Sequence, residues 1–132
     1  MEIVIDTSVL IAVLTNEAER AALVELTRGA HLVAPASVHW EVGNAFAAMR
    51  KRRRITLAEI EQALDAYEKI PLRFLEVELI AALRIAAEHN LYAYDAYLIA
   101  CASRQRCPLL TLDGGLARAA KAAGVELAEI RP

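Results

Sequence analysis

Four acidic residues stand where chemistry can gather: Asp6 after the run Ile3-Val4-Ile5, Glu41 in "WEVGNA", Asp95 in "LYAYDAYLIACA", and Asp113 after Leu109 to Leu112. Asp95 is the hardest to explain as ornament. It is the one charge between Leu91 and Ala102, where every other residue is apolar or aromatic, and burying it without a partner, cap or cation costs several kcal/mol. Each acid has a plain structural explanation: a helix N-cap for Asp6, Asp95 and Asp113, and a solvated surface position for Glu41. Together they need more. Two carboxylates about 5 Å apart repel by roughly 3 kcal/mol at an effective dielectric near 20, and four compound this. Either protons or a cation must share the site. A donor set of hard oxygens selects Mg²⁺ or Mn²⁺, which activates water and offsets charge on a phosphate, as phosphodiester hydrolysis requires.

The elements that must position these acids are short strands alternating with helices. Ile3 to Ile5 reads as a strand, and helices follow from Val9 to Arg28 with a break near Thr15-Asn16 and an end at Gly29. His31 to Ala34 reads as a second strand, and Pro35 and Ser37 announce a helix running to a basic cluster. Thr56 to Glu59 is a capping-box pattern, with Leu57, Ile60, Leu64 and Tyr67 as the apolar stripe behind it. Pro71 precedes a third strand, Leu72 to Val77, and a helix from Leu79 to Asn90. The next helix is expected to start at Asp95, with Leu98, Ile99 and Ala102 facing inward. Leu109 to Leu112 gives a fourth strand, Gly114-Gly115 leads into an alanine-rich helix ended by Gly124, and Val125 to Ile130 gives an edge strand.

This alternation predicts a three-layer α/β/α sandwich around a central, mainly parallel sheet of four or five strands, in one domain spanning residues 1–132. In such sheets polar sites form at the carboxyl ends of the strands, near the point where strand order reverses. Asp6 and Asp113 fall there. Thr111, two residues before Asp113, is expected to face the same side as that carboxylate. Glu41 shares a helix face with Asn44, Ala45 and Ala48, where small side chains leave room for a pocket.

Composition narrows the function classes. A hydrophobic fraction of 57% and a mean hydropathy of +0.31 accompany no stretch with the ~18 uncharged apolar residues of a membrane span. Glu2 and Asp6 stand where a signal peptide carries basic residues, so the expected location is cytoplasmic. Cys101, Cys107, His31, His39 and His89 have neither disulfide-framework nor zinc-ligand spacing. The net charge of −2 hides an asymmetry, because Arg50, Lys51, Arg52, Arg53 and Arg54 are consecutive. Such a run either complements a helix C-terminus or contacts the phosphates of a nucleic acid.

Asp6-Thr7-Ser8 after the first strand, Glu41 in "WEVGNA", Tyr94-Asp95-Ala96 and Thr111-Leu112-Asp113 together resemble the PIN-domain family, and VapC-type toxins among its members. The resemblance spans nearly the whole chain and is densest from Ala81 to Leu127. It implies a ribonuclease dependent on Mg²⁺ or Mn²⁺, a homodimer, an RNA substrate and inhibition by a cognate VapB-type antitoxin, while the composition already argues against membrane association. Asp6, Glu41, Asp95 and Asp113 match the family's acidic quartet as catalytic residues and metal ligands, with Glu41 holding a second metal or the attacking water. Ser8 and Thr111 match its flanking polar positions, and Asn44 is a further polar support. Ser8 stands where many members carry Asn, and Leu116 where an aromatic is common.

Within that frame Arg50 to Arg54 become candidate RNA contacts, since an acidic centre needs cations elsewhere to hold a polyanion. Tyr92, Tyr94 and Tyr97 are read as core or dimer contacts more than as base-stacking platforms. Rival classes fit less well. A receiver-like phosphoacceptor lacks its acidic pair at the first strand, and an aspartyl phosphatase finds Ser8 where its second Asp belongs. A solitary RNA-processing nuclease and a catalytically silent PIN-like scaffold are the alternatives within the fold.

Overall fold

The computed structural model describes residues 1–129. Its strands are β1 (Glu2–Ile5), β2 (His31–Pro35), β3 (Leu72–Leu75) and β4 (Leu109–Leu110). Its helices are α1 (Thr7–Leu14), α2 (Arg20–Thr27), α3 (Ser37–Lys51), α4 (Leu57–Glu68), α5 (Leu79–His89), α6 (Ala93–Gln105) and α7 (Gly114–Ala122). The strands form one sheet in the order β3-β2-β1-β4, every pair parallel. The expected α/β/α sandwich is present.

Parallel pairing forces crossovers, and right-handed crossovers fix the layers. From β1 the chain steps outward to β2 and β3, then returns across the sheet to β4 on the other side of β1. Strand order therefore reverses between β1 and β4, and the outward and return helices take opposite faces. On the outward side α1 packs on α2, α3 and α4; on the return side α6 lies on β1, β2 and β4 with α5 against it. Between them Ile3, Val4, Ile5, Val33, Ala34, Leu109 and Leu110 are buried, joined by Leu10, Phe46, Leu98, Ile99 and Leu116 from the helices. Strands buried on both faces explain why these runs are continuous rather than alternating.

Several boundaries differ from expectation. α6 begins at Ala93 with Tyr92 as its N-cap residue, so Asp95 lies inside the first turn and does not cap the helix. β4 stops at Leu110, before the loop that carries Thr111 and Asp113, and β3 stops at Leu75, short of Val77. Among the described residues the chain after Gly124 adds no strand: it makes a single parallel bridge, Leu127 to Leu109, with Leu109 N–H donating to Glu126 O and Ala128 N–H to Leu109 O, both at 2.9 Å. Ile130, the end of that expected strand, lies outside the described residues. The buried stripe of α4 is Ile60, Ala63 and Tyr67, whereas Leu57 is 58% exposed and Leu64 is also exposed. Tyr92 and Tyr94 are likewise exposed, not core, because they sit at the solvent end of α6.

The capping box of α4 forms as its sequence requires. Glu59 N–H donates to Thr56 Oγ1 at 3.1 Å and Thr56 N–H donates to Glu59 Oε1 at 3.0 Å. Thr56→Ala is expected to cost about 1 kcal/mol, the usual value of such a cap, read as a lower urea midpoint at unchanged slope.

Candidate active site

Of the helices that start at the carboxyl end of the sheet, three bring an aspartate. Asp6 caps α1, Asp113 caps α7 and Asp95 sits in the first turn of α6. Their unpaired N–H groups place partial positive charge beneath the carboxylates, which lowers the cost of collecting them. Capping and site-building are therefore one arrangement for Asp6 and Asp113.

Asp6 is the hub. It is the sole buried charged residue among those described, at 5% exposure. The Ser8 hydroxyl donates to Asp6 Oδ1 at 2.6 Å and the Val9 N–H to the same oxygen at 3.2 Å, while the Thr111 hydroxyl donates to Oδ2 at 2.6 Å. Both hydroxyls also accept: Leu112 N–H donates to Ser8 Oγ at 3.0 Å, and Asp113 N–H donates to Thr111 Oγ1 at 3.0 Å. Ser8 and Thr111 thus tie the Asp6 carboxylate to the backbone of the β4–α7 loop and set where Asp113 stands. Asp113 Oδ1 accepts from Gly115 N–H at 2.9 Å and Leu116 N–H at 3.2 Å.

Glu41 lies one turn into α3, half-buried, contrary to a solvated surface position. Its Oε2 is buried without a hydrogen-bond partner, and so are Thr7 Oγ1 and Ser37 Oγ. Orphaned buried oxygens are rare because each carries an uncompensated desolvation cost, and they call for a water or an ion. Burial pushes the Glu41 carboxyl above the usual range; the Ser37 and Thr7 hydroxyls face it without regular hydrogen bonds and oppose the rise, while the charges of Asp6 and Asp95 add to it. Burial likewise raises Asp6, against its hydroxyl and N–H donors, with Asp113 adding repulsion. Burial raises Asp95 too, again with Asp113 adding.

The mutual repulsions close a ring: Asp6 with Asp113, Asp113 with Asp95, and Asp95 and Asp6 with Glu41. The four predicted acids are one electrostatic group. They are not drawn tight, since among the described residues no three His, Cys, Asp or Glu side chains form a ready ligand cluster. An all-oxygen set of this kind fits Mg²⁺ or Mn²⁺, which bind through one or two carboxylates and keep several waters. Asn44 is exposed on α3, and nothing ties it to the acids.

Arg118, which stands outside the acidic pattern, also belongs to this neighbourhood. A Cβ on Gly114 would lie 3.3 Å from one Arg118 guanidinium nitrogen, and a Cβ on Gly115 would lie 3.3 Å from Asp113 Oδ1 and 3.9 Å from the other nitrogen. The side chain folds back over the glycine pair beside Asp113. The available signal was Gly-Gly followed by an arginine one turn on, a pattern that leaves bare backbone for a long side chain to cover.

Thr111→Val is expected to destabilise the protein by about 1–3 kcal/mol, since it orphans both Asp6 Oδ2 and the Asp113 N–H. Urea denaturation at neutral pH measures this.

A PIN-domain sequence profile matches residues 3–122. No curated protein sequence matches the chain. Among solved structures, PAE2754 from Pyrobaculum aerophilum is 23% identical with a TM-score of 0.71, over 90% of this chain and 86% of that one. VapBC2 from Rickettsia felis, bound to a DNA fragment from its promoter, gives 12% identity and a TM-score of 0.69 over 96% and 97%. Mycobacterium tuberculosis VapC20, a Sarcin-Ricin loop cleaving toxin, gives 17% identity and a TM-score of 0.67 over 98% and 99%. These likenesses concern the fold.

Proposed function

The chain belongs to the PIN-domain family, and on that premise we propose that it is an Mg²⁺- or Mn²⁺-dependent endoribonuclease in a single domain over residues 1–132, acting as the toxin of a toxin–antitoxin pair. The observation that carries this reading is the ring of four mutually repelling acids at the strand-order reversal, with orphaned oxygens on Glu41, Thr7 and Ser37. Asp6, Asp95 and Asp113 would hold the cation, directly or through water. A bound divalent cation lowers the pKa of a water and neutralises charge developing on the phosphate.

The chain's own side chains do the rest. Ser8 and Thr111 keep the Asp6 oxygens aimed and fix the loop that carries Asp113. Glu41 Oε2, without a regular hydrogen bond, is placed to orient a water, and its raised pKa makes it a stronger proton acceptor than an ordinary carboxylate. Arg118, beside Asp113, supplies a cation to a phosphate oxygen at the rim. Water attacks phosphorus, the ester oxygen leaves with a proton, and two RNA ends result.

Toxin pairing is supported by the VapC-type neighbours, one of them a VapBC2 chain. A homodimer is supported by the exposed Leu79, Ile80 and Leu83 on α5. No helix among the described residues is long and apolar enough to cross a membrane. The test is cleavage of RNA by purified protein with Mg²⁺ or Mn²⁺, with EDTA and Asp6→Asn as controls; activity surviving both controls would overturn the mechanism. A short upstream reading frame for a DNA-binding antitoxin would distinguish a toxin from a solitary RNA-processing enzyme.

A further inference from the structure

The basic run is divided by the fold. α3 ends at Lys51, and the chain turns back through Arg53, which takes the left-handed conformation at φ 60°. Arg53 N–H donates to Arg50 O and Arg54 N–H to Met49 O, both at 2.9 Å, the hydrogen bonds of a Schellman ending in which glycine is the usual left-handed residue. This turn sends Arg50, Lys51, Arg53 and Arg54 into one open cleft of about 670 Å³, floored by Ile55, Thr56 and Leu57, while Arg52 does not line it. Among the described residues none of the five cations has an acid within ion-pairing distance. Glu59, the one acid on the cleft wall, is turned onto Thr56 by the capping box.

We propose that this cleft binds the backbone of single-stranded RNA through Arg50, Lys51, Arg53 and Arg54, as an anchoring site separate from the acidic centre. Charge alone does not need Arg53 here, because four other cations would complement the end of α3 equally well; the cleft does. Its place suits the task. Arg50 follows Glu41 by nine residues on the same helix, about 14 Å along its axis, which is about four nucleotides of stacked strand at ~3.4 Å each. An acidic centre repels the polyanion it must cut, and cations at that distance restore its attraction without entering the metal site. Exposed Leu57 on the floor offers an apolar surface to a ribose or base.

The role of that RNA as substrate rests on the nuclease reading, but binding does not, so it is measured in EDTA. The probe is a fluorescein-labelled oligouridylate of about 12 nucleotides, within the ~4–16-nucleotide span of single-strand sites. Four phosphate contacts give a log–log salt slope near −2.8, at ~0.7 per contact, and weaken binding about 50-fold between ~50 and ~200 mM salt. Arg50→Gln, Arg53→Gln and Arg54→Gln are each expected to reduce the slope by about 0.7, and Arg52→Gln to leave it in place. Arg53→Gly, which relieves the left-handed arginine, is expected to weaken binding with melting temperature held or raised, separating contact from fold. Equal effects of Arg52→Gln and Arg53→Gln would overturn the cleft, as would tighter capture of an oligoglutamate through the same arginines. RNA binding that follows this pattern in a protein that cleaves no RNA with Mg²⁺ or Mn²⁺ would support the anchoring site while removing the nuclease reading.

Discussion

Asp6→Asn is expected to lower RNA cleavage by about 10²–10³-fold, the loss of several kcal/mol of charge stabilisation at the phosphate, and to leave the folded protein at least as stable at neutral pH. The two effects share a cause. Asp6 is buried and its carboxyl titrates above the usual range, so its ionised form costs the folded state free energy at pH 7. The folded state binds this proton more tightly than the unfolded state does. Stability therefore falls as pH rises from near 4 through the raised pKa. Asparagine keeps the shape without the charge. Its Oδ1 can accept from Ser8 and Val9 as Asp6 Oδ1 does, and its Nδ2 meets Thr111 Oγ1, whose own hydrogen must turn away. Urea denaturation from pH 4 to 8 should show the variant's stability declining less with pH than the parent's. A variant that is inactive and markedly less stable at pH 7 would mean that Asp6 serves the fold, not a cation.

What the sequence made legible, and what it hid, follows from the range of the forces involved. The strands and most helix starts were visible because buried parallel strands need continuous apolar runs, and caps have local signatures such as Thr56 to Glu59. Asp6 and Asp113 were visible as candidates because each directly follows a strand. The start of α6 was not, because Tyr92 caps it without a side-chain hydrogen bond and Asp95 is the eye-catching residue two positions inside. The orphaned oxygens of Thr7 and Ser37 were hidden as well, since only packing of α1 against α3 decides whether a hydroxyl near a helix start meets water or Glu41. Arg118 and the separation of Arg52 from its neighbours depend on the path of a turned-back side chain and on one left-handed residue. Beyond the Gly114-Gly115 pair ahead of Arg118, spacing carries neither.

The largest response should come from the divalent cation itself, and its pH dependence tests the whole acidic group at once. Asp6, Glu41 and Asp95 are all raised by burial, with repulsion from neighbouring acids adding, so without a cation the folded protein binds more protons than the unfolded chain above pH ~4. Its melting temperature in EDTA is expected to fall as pH rises through that range. A bound cation holds the same carboxylates ionised and releases their protons, so its affinity rises with pH, up to about tenfold per unit for each proton released. At about 100 times the dissociation constant it adds ~2.7 kcal/mol, an increase of the order of 10 °C for a chain of this length. With saturating Mg²⁺ or Mn²⁺ these groups bind no excess protons in the folded state, so the melting temperature should stay level above about pH 5 where in EDTA it falls. Thermal melts from pH 5 to 8 in each condition read this difference in slope, and Asp6→Asn should reduce it. Thr111→Val should shift the midpoint of the metal titration about 10–100-fold, the usual effect of losing a group that orients a ligand. Parallel slopes with and without the cation would mean that the four acids are relieved by protons alone.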